Sequence, residues 1–135
     1  MPQPIAKPGD SEKITINLGL VDLGHIDLLV QEGLYSNRTD LIRTAIRNQL
    51  SVHADVLRQS VARRTLVVGL HHLTKQQLEA ARQAGNRLQV RALGLVRIAD
   101  DVTPALAKAT IESISVLGAL QASAAVKAAL ADRIH

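Results

Sequence analysis

Apolar and polar positions alternate strictly over residues 13–18, where Ile14, Ile16 and Leu18 interleave with Lys13, Thr15 and Asn17. A period of two puts the first three side chains on one face of a strand and the last three on the other. A lone strand of this length is unstable, because its backbone donors and acceptors have no partners. No second strand of matching pattern lies nearby in the sequence. The expected partner is therefore the same strand of a second copy, related by a two-fold axis. A two-stranded ribbon that presents a row of short polar side chains has a shape that fits the DNA major groove.

The period then lengthens to that of a helix. Val21, Leu23, Ile26, Leu28, Leu29 and Val30 predict an amphipathic helix over residues 21–32, with Gly33 where a C-terminal cap belongs. Asn37 has the short acceptor side chain of an N-cap, and Asp40 stands three residues on, in capping-box position. The helix that follows is expected to bury Leu41, Ile42, Ala45, Ile46 and Leu50, with Arg38, Arg43 and Arg47 elsewhere on its surface. Leu50, Ala54, Leu57 and Val61 continue at steps of four, three and four. That spacing predicts a long helix, or one with a small break, leading out to Arg63 and Arg64; it is too short for a stable coiled coil.

The second half of the chain repeats itself. Residues 92–107, ALGLVRIADDVTPALA, align with residues 116–131, VLGALQASAAVKAALA, at an offset of 24 that matches Gly94 with Gly118 and Leu106 with Leu130. A weaker copy at residues 68–81 matches Gly69 and Leu70 with Gly94 and Leu95, and Leu73 with Ile98, at an offset of 25. Each copy reads as an apolar strand, a polar turn and a short helix, with Pro104 in a first helical turn behind Thr103 as N-cap. Units of this length suggest a solenoid-like stack, each burying a face on the next, and leave an open edge near residues 114–120 for another chain.

Composition narrows the picture. With 47% apolar residues a core is available, but Tyr35 is the sole aromatic, so the core must be aliphatic and thin. The absence of cysteine excludes a disulfide scaffold, thiolate metal sites and cysteine catalysis, and fits a reducing cytoplasm. No segment reads as a membrane span: the most apolar stretch, 114–131, carries Gln121 and Lys127. Pro2, Pro4 and Pro8 and the lack of an apolar signal core make residues 1–10 a flexible arm. The net charge of +4 is uneven, because residues 61–99 hold 7 Lys and Arg against 1 Asp or Glu whereas residues 1–60 hold 6 against 7. The basic middle is compatible with a nucleic-acid partner.

No catalytic or metal constellation emerges. His25, His53, His71, His72 and His135 include no pair at helical ligand spacing, and the adjacent His71 and His72 point to opposite faces of a strand. Asp100 and Asp101 read as turn chemistry before Thr103 and Pro104, and Asp22 and Asp27 fall on the exposed side of the first helix. The three glycines 69, 94 and 118 are spaced for structure and not for phosphate. The chain is expected to be no enzyme and to use no cofactor, metal or small-molecule ligand.

In their order and tight spacing, SEKITINL, the apolar first helix ending at Gly33 and YSNRTDLIRTAIRNQL resemble the ribbon-helix-helix DNA-binding proteins, the Arc and CopG type of bacterial repressor, over about residues 11–55. The resemblance implies an obligate intertwined dimer with a β-α-α order, in which Lys13, Thr15 and Asn17 read base edges. Lysine can donate to guanine, asparagine can pair bidentately with adenine, and threonine can touch thymine or a polar edge. It also implies that Ser36, Asn37, Arg38 and Thr39, at a helix start, face a DNA phosphate. Gly19 stands where the family often has proline, and residues 1–60 carry a net charge of −1, so Arg58, Arg63, Arg64, the arm or neighbouring dimers would have to help neutralise phosphates.

The expected fold is α+β: a ribbon-helix-helix domain over residues 11–55, a basic helical linker over 56–65 and a β/α repeat domain over 66–135 that oligomerises. The expected function is sequence-specific binding of double-stranded DNA by a homodimer or higher homo-oligomer, as a cytoplasmic, nucleoid-associated transcriptional repressor. Two rivals are an antitoxin, whose toxin-wrapping segment is ordinarily charged and disordered where this half is apolar, and a polymerising scaffold in which the ribbon is only a dimer seam.

Overall fold

The computed structural model describes residues 11–135; the arm expected over residues 1–10 lies outside the described residues. Two compact units divide the chain, residues 11–59 and residues 60–135.

In the first unit, residues 11–19 are exposed and carry no strand pairing among the described residues, so the segment read as a strand has no ladder there. Helix α1 (Leu20–Gln31) follows from Gly19, whose φ of −60° and ψ of 145° serve as an N-cap without a side-chain bond. It ends as Gly33 predicts. With Gly33 at φ +84°, its N–H donates to the Val30 carbonyl and that of Leu34 to the Leu29 carbonyl, at 3.0 and 3.1 Å, the paired bonds of a Schellman cap. Helix α2 (Arg38–Val52) starts at Asn37, whose side chain accepts from the Asp40 N–H at 2.8 Å. The Asp40 carboxylate reaches back one residue further than the expected box, to the Ser36 N–H at 3.0 Å. The helix breaks at His53, just past Ser51, whose hydroxyl bonds back to the Arg47 carbonyl, and α3 (Ala54–Arg63) resumes at once.

None of these helices has a buried residue. Leu41 and Ile42 are half-buried, but Ala45, Ile46 and Leu50, expected in a core, are exposed. The reason is geometric: the apolar side chains of α1 are spread round the helix and not gathered on the one face the sequence predicts, and α2, meeting it along one seam, cannot cover them.

The second unit alternates strand and helix: β1 (Val67–Leu73), α4 (Lys75–Gln83), β2 (Leu88–Ile98), α5 (Pro104–Thr110), β3 (Ile111–Gln121) and α6 (Ala124–Ala129). The strands form one parallel sheet in the order β1-β2-β3. The sequence alignment coincides with the strand register: Gly69 lies opposite Gly94 and Gly94 opposite Gly118, with Leu70 opposite Leu95 and Leu73 opposite Ile98. Every helix is started by a hydroxyl, Thr74, Thr103 or Ser123, each accepting from the N–H three residues on, and Pro104 occupies the first turn of α5. Asp100 and Asp101 form the turn before it.

The core is aliphatic. Leu78, Ile98, Val102, Leu106, Ala107, Ile111, Ile114, Val126 and Leu130 form one buried cluster, with Leu88, Val90, Val116 and Leu120 against it. Consecutive helices pack side by side, α4 on α5 and α5 on α6. The buried Thr110 hydroxyl is satisfied by the Leu106 carbonyl at 2.8 Å. Arg133 closes α5 from outside, its guanidinium donating to the Lys108 and Ile111 carbonyls. Beyond it, Ile134 forms a parallel bridge with Ile114.

Candidate nucleic-acid interface

The residues expected to read bases, Lys13, Thr15 and Asn17, all lie exposed in the irregular segment before α1. Their apolar counterparts Ile14, Ile16 and Leu18 are exposed too. A single chain thus gives this segment no inside and no outside; only a partner that covers the Ile14, Ile16 and Leu18 row would make it two-faced.

The residues expected to face a phosphate form one turn at the start of α2. Ser36 and Asp40 spend their backbone N–H groups on side-chain acceptors at this turn. That leaves the N–H groups of Arg38 and Thr39 as first-turn donors without an intrahelical acceptor. The helix dipole adds positive character there, but the Asp40 carboxylate already sits against it.

The Arg38 side chain is not free to join them. Its Nε and Nη2 donate to both carboxylate oxygens of Asp27, at 2.7 and 2.8 Å, a bidentate fork that ties α2 to α1. The Asp27 carboxyl is held below its ordinary value of 3.8 chiefly by this hydrogen bond, and Arg38 is raised in turn by Asp27. Asp27 lies on the surface side of α1, as the sequence predicts, but it is not idle there: it is paired with Arg38 across the loop. The signal was weak, since nothing in the spacing of residues eleven apart across a loop announces an ion pair.

Other basic residues are partly spoken for. Arg58 pairs with Asp55 at 3.1 Å on the surface of α3. In the second unit, Arg91 donates to Thr65 at 3.0 Å and Arg97 to Gln121 at 3.0 Å. Arg64 and Arg91, with Leu66, Ser113, Ser115 and His135, line an open concavity of about 390 Å³. His71 is half-buried in β1 with a ring nitrogen 3.3 Å from the Val67 carbonyl, and His72 is exposed. No described helix is long and apolar enough to cross a membrane.

Compared with known families, residues 9–127 match the model of a ribbon-helix-helix transcriptional regulator family. The match extends well beyond the residues 11–55 that carry the sequence resemblance and takes in most of the repeated second half. No curated protein and no solved structure matches the chain.

Proposed function

The chain belongs to the ribbon-helix-helix transcriptional regulator family, and from that premise we propose that it is a repressor that binds specific DNA sequences as a homodimer whose second halves join dimers together. The observation that carries this reading is the unsatisfied apolar surface of residues 11–59. Ile14 is 75% exposed, Leu20 is 85% exposed, and Leu28, Ile46, Leu50 and Val56 stand open beside them. So much aliphatic surface is not tolerated in water at the density of one small unit. A second copy of the same unit offers the matching surface and, with it, the missing partner for residues 13–18.

In the paired state Lys13, Thr15 and Asn17 face the major groove from both strands. Each offers a distinct hydrogen-bonding or methyl contact to base edges. The N–H groups of Arg38 and Thr39, with the Ser36 and Asn37 side chains beside them, hold a backbone phosphate and set the depth of the ribbon. Arg38 acts here through its main chain, because its guanidinium serves Asp27. A first unit with a slight acidic excess binds DNA weakly as one dimer. Cooperative occupancy by joined dimers supplies the affinity, and repression follows by occlusion.

The well-packed core from Leu78 to Leu130 argues against the antitoxin reading, whose toxin-wrapping segments gain their structure on binding. Electrophoretic shift at two salt concentrations tests DNA binding, and Asn17→Ala tests readout. The variant is expected to lose about 1 to 3 kcal/mol of discrimination between operator and mismatched DNA while remaining a dimer. Unchanged operator preference would overturn the base-reading role, and the lack of any salt-sensitive shift would favour the scaffold.

A further inference from the structure

The glycine column of the second unit is a contact repeated twice and left incomplete once. Gly69, Gly94 and Gly118 share one register and one backbone conformation, with φ of +124°, +135° and +123°. A side chain on Gly118 would collide with the Gly94 carbonyl oxygen, and one on Gly94 with the Gly69 carbonyl oxygen. Each strand therefore leans its glycine on the carbonyl of the strand before it. Gly69 adopts the same conformation with nothing within 4 Å, because β1 is an edge strand.

The opposite edge is prepared in a complementary way. The chain after α6 touches the outer side of β3 only at its beginning: Ile114 accepts from the His135 N–H at 2.8 Å and donates to the Arg133 carbonyl at 2.9 Å. Past that bridge, Val116 to Leu120 of β3 pair, among the described residues, only with β2. Within the chain, Val67 stands opposite Ala92 and Ala92 opposite Val116. One further step of the same register brings a second Val67 beside Val116, two residues beyond the bridge.

We propose that β1 of one copy pairs in parallel with the free part of β3 of another, with Val68 opposite Leu117, Gly69 opposite Gly118 and Leu70 opposite Ala119. The occupant of each edge is a second copy of this chain. The apolar face explains why. Leu95, with Leu70 on one side and Ala119 on the other, is 8% exposed, whereas Leu70 on the unpaired edge is 54% exposed and Val68 and Leu117 are open as well. The pairing extends the sheet across the junction and gives Gly69 the carbonyl it lacks. The contact is heterologous, two different edges meeting head to tail, so it does not close on a pair and propagates into a chain of copies. It rests on the reading that the second half joins dimers, and specifies how.

Disulfide trapping tests it, since the chain has no cysteine of its own. Within one chain, residues 68 and 117 are separated by β2, about 9.5 Å across two strand spacings, beyond the reach of a disulfide. Full-length Val68→Cys and Leu117→Cys proteins are mixed, reassociated and oxidised with diamide, and the products are identified by mass. Expected are mixed Val68→Cys/Leu117→Cys disulfides, a ladder of linked chains from the double variant, and the same from Leu70→Cys with Ala119→Cys. The offset pair Val68→Cys with Ala119→Cys should link far less. Like-with-like disulfides, equal yield from the offset pair or no link in either matched pair overturns the proposal. Light scattering on the same samples separates the two levels: oligomers beyond a dimer without the matched links refute this pairing alone, and dimers only refute the joining role as well.

Discussion

Replacing Gly94 with alanine should come close to unfolding the second unit. Its φ of +135° lies in territory open to glycine alone, and holding another residue there costs about 1 to 3 kcal/mol. The new methyl group would also run into the Gly69 carbonyl oxygen. Because β2 is hydrogen-bonded on both sides, to β1 and to β3, its backbone cannot retreat, and overpacking of this kind adds about 1 to 3 kcal/mol. The total, about 2 to 6 kcal/mol, is a large share of the roughly 5 to 15 kcal/mol that stabilises a whole domain. Gly85→Ala is the matched control: its φ is +72° with nothing within 4 Å, so it carries only the left-handed backbone cost of about 1 to 2 kcal/mol. Urea unfolding followed by far-ultraviolet circular dichroism, extrapolated linearly, reads both. A Gly94→Ala protein no less stable than Gly85→Ala would refute the claim that the glycine column is a steric requirement of the sheet.

Gly19→Pro should stabilise the first unit by about 0.4 to 1 kcal/mol, since Gly19 already has φ −60° and a side-chain carbon there meets only the Asp22 carboxylate at an ordinary 3.5 Å; a lower melting temperature would contradict this. Asp27→Asn should tighten DNA binding and steepen its salt dependence by up to about one phosphate's worth per chain, because it removes a negative charge and releases the Arg38 fork; an unchanged slope would show that Arg38 does not face the backbone. The Asp27–Arg38 pair should also be pH-sensitive. A carboxyl depressed in the folded state stabilises above its unfolded value, and that contribution is lost as pH falls through the folded one. In Arg38→Ala the Asp27 carboxyl, followed by NMR titration, should therefore move back up towards its ordinary value, and no movement would mean the pair does not form in solution.

Local signals were legible where one residue type answers one backbone need. Gly33, Asn37, Thr103 and Pro104 marked helix ends that the structure places within a residue of expectation. The 24- and 25-residue offsets, legible as a repeat, coincide with strand register because neighbouring parallel strands set equivalent residues side by side. Non-local chemistry was not. The Asp27–Arg38 fork depends on the angle at which α1 meets α2, and helix periodicity does not encode that angle. The exposure of Ala45, Ile46 and Leu50 was misjudged for a related reason: an apolar stripe says that a surface will be covered, not that its own chain covers it. Thr65, a branched residue at φ +51°, ends α3 where glycine would be expected, and the Arg91 bond to its hydroxyl could be found only in three dimensions.

Sequence selection from a random DNA library most directly tests whether the row of Lys13, Thr15 and Asn17 reads bases. The full-length protein should enrich a defined motif, and the Lys13→Ala/Thr15→Ala/Asn17→Ala variant should still dimerise and bind DNA in a salt-sensitive way while enriching none. Enrichment of the same motif by the triple variant would contradict the account.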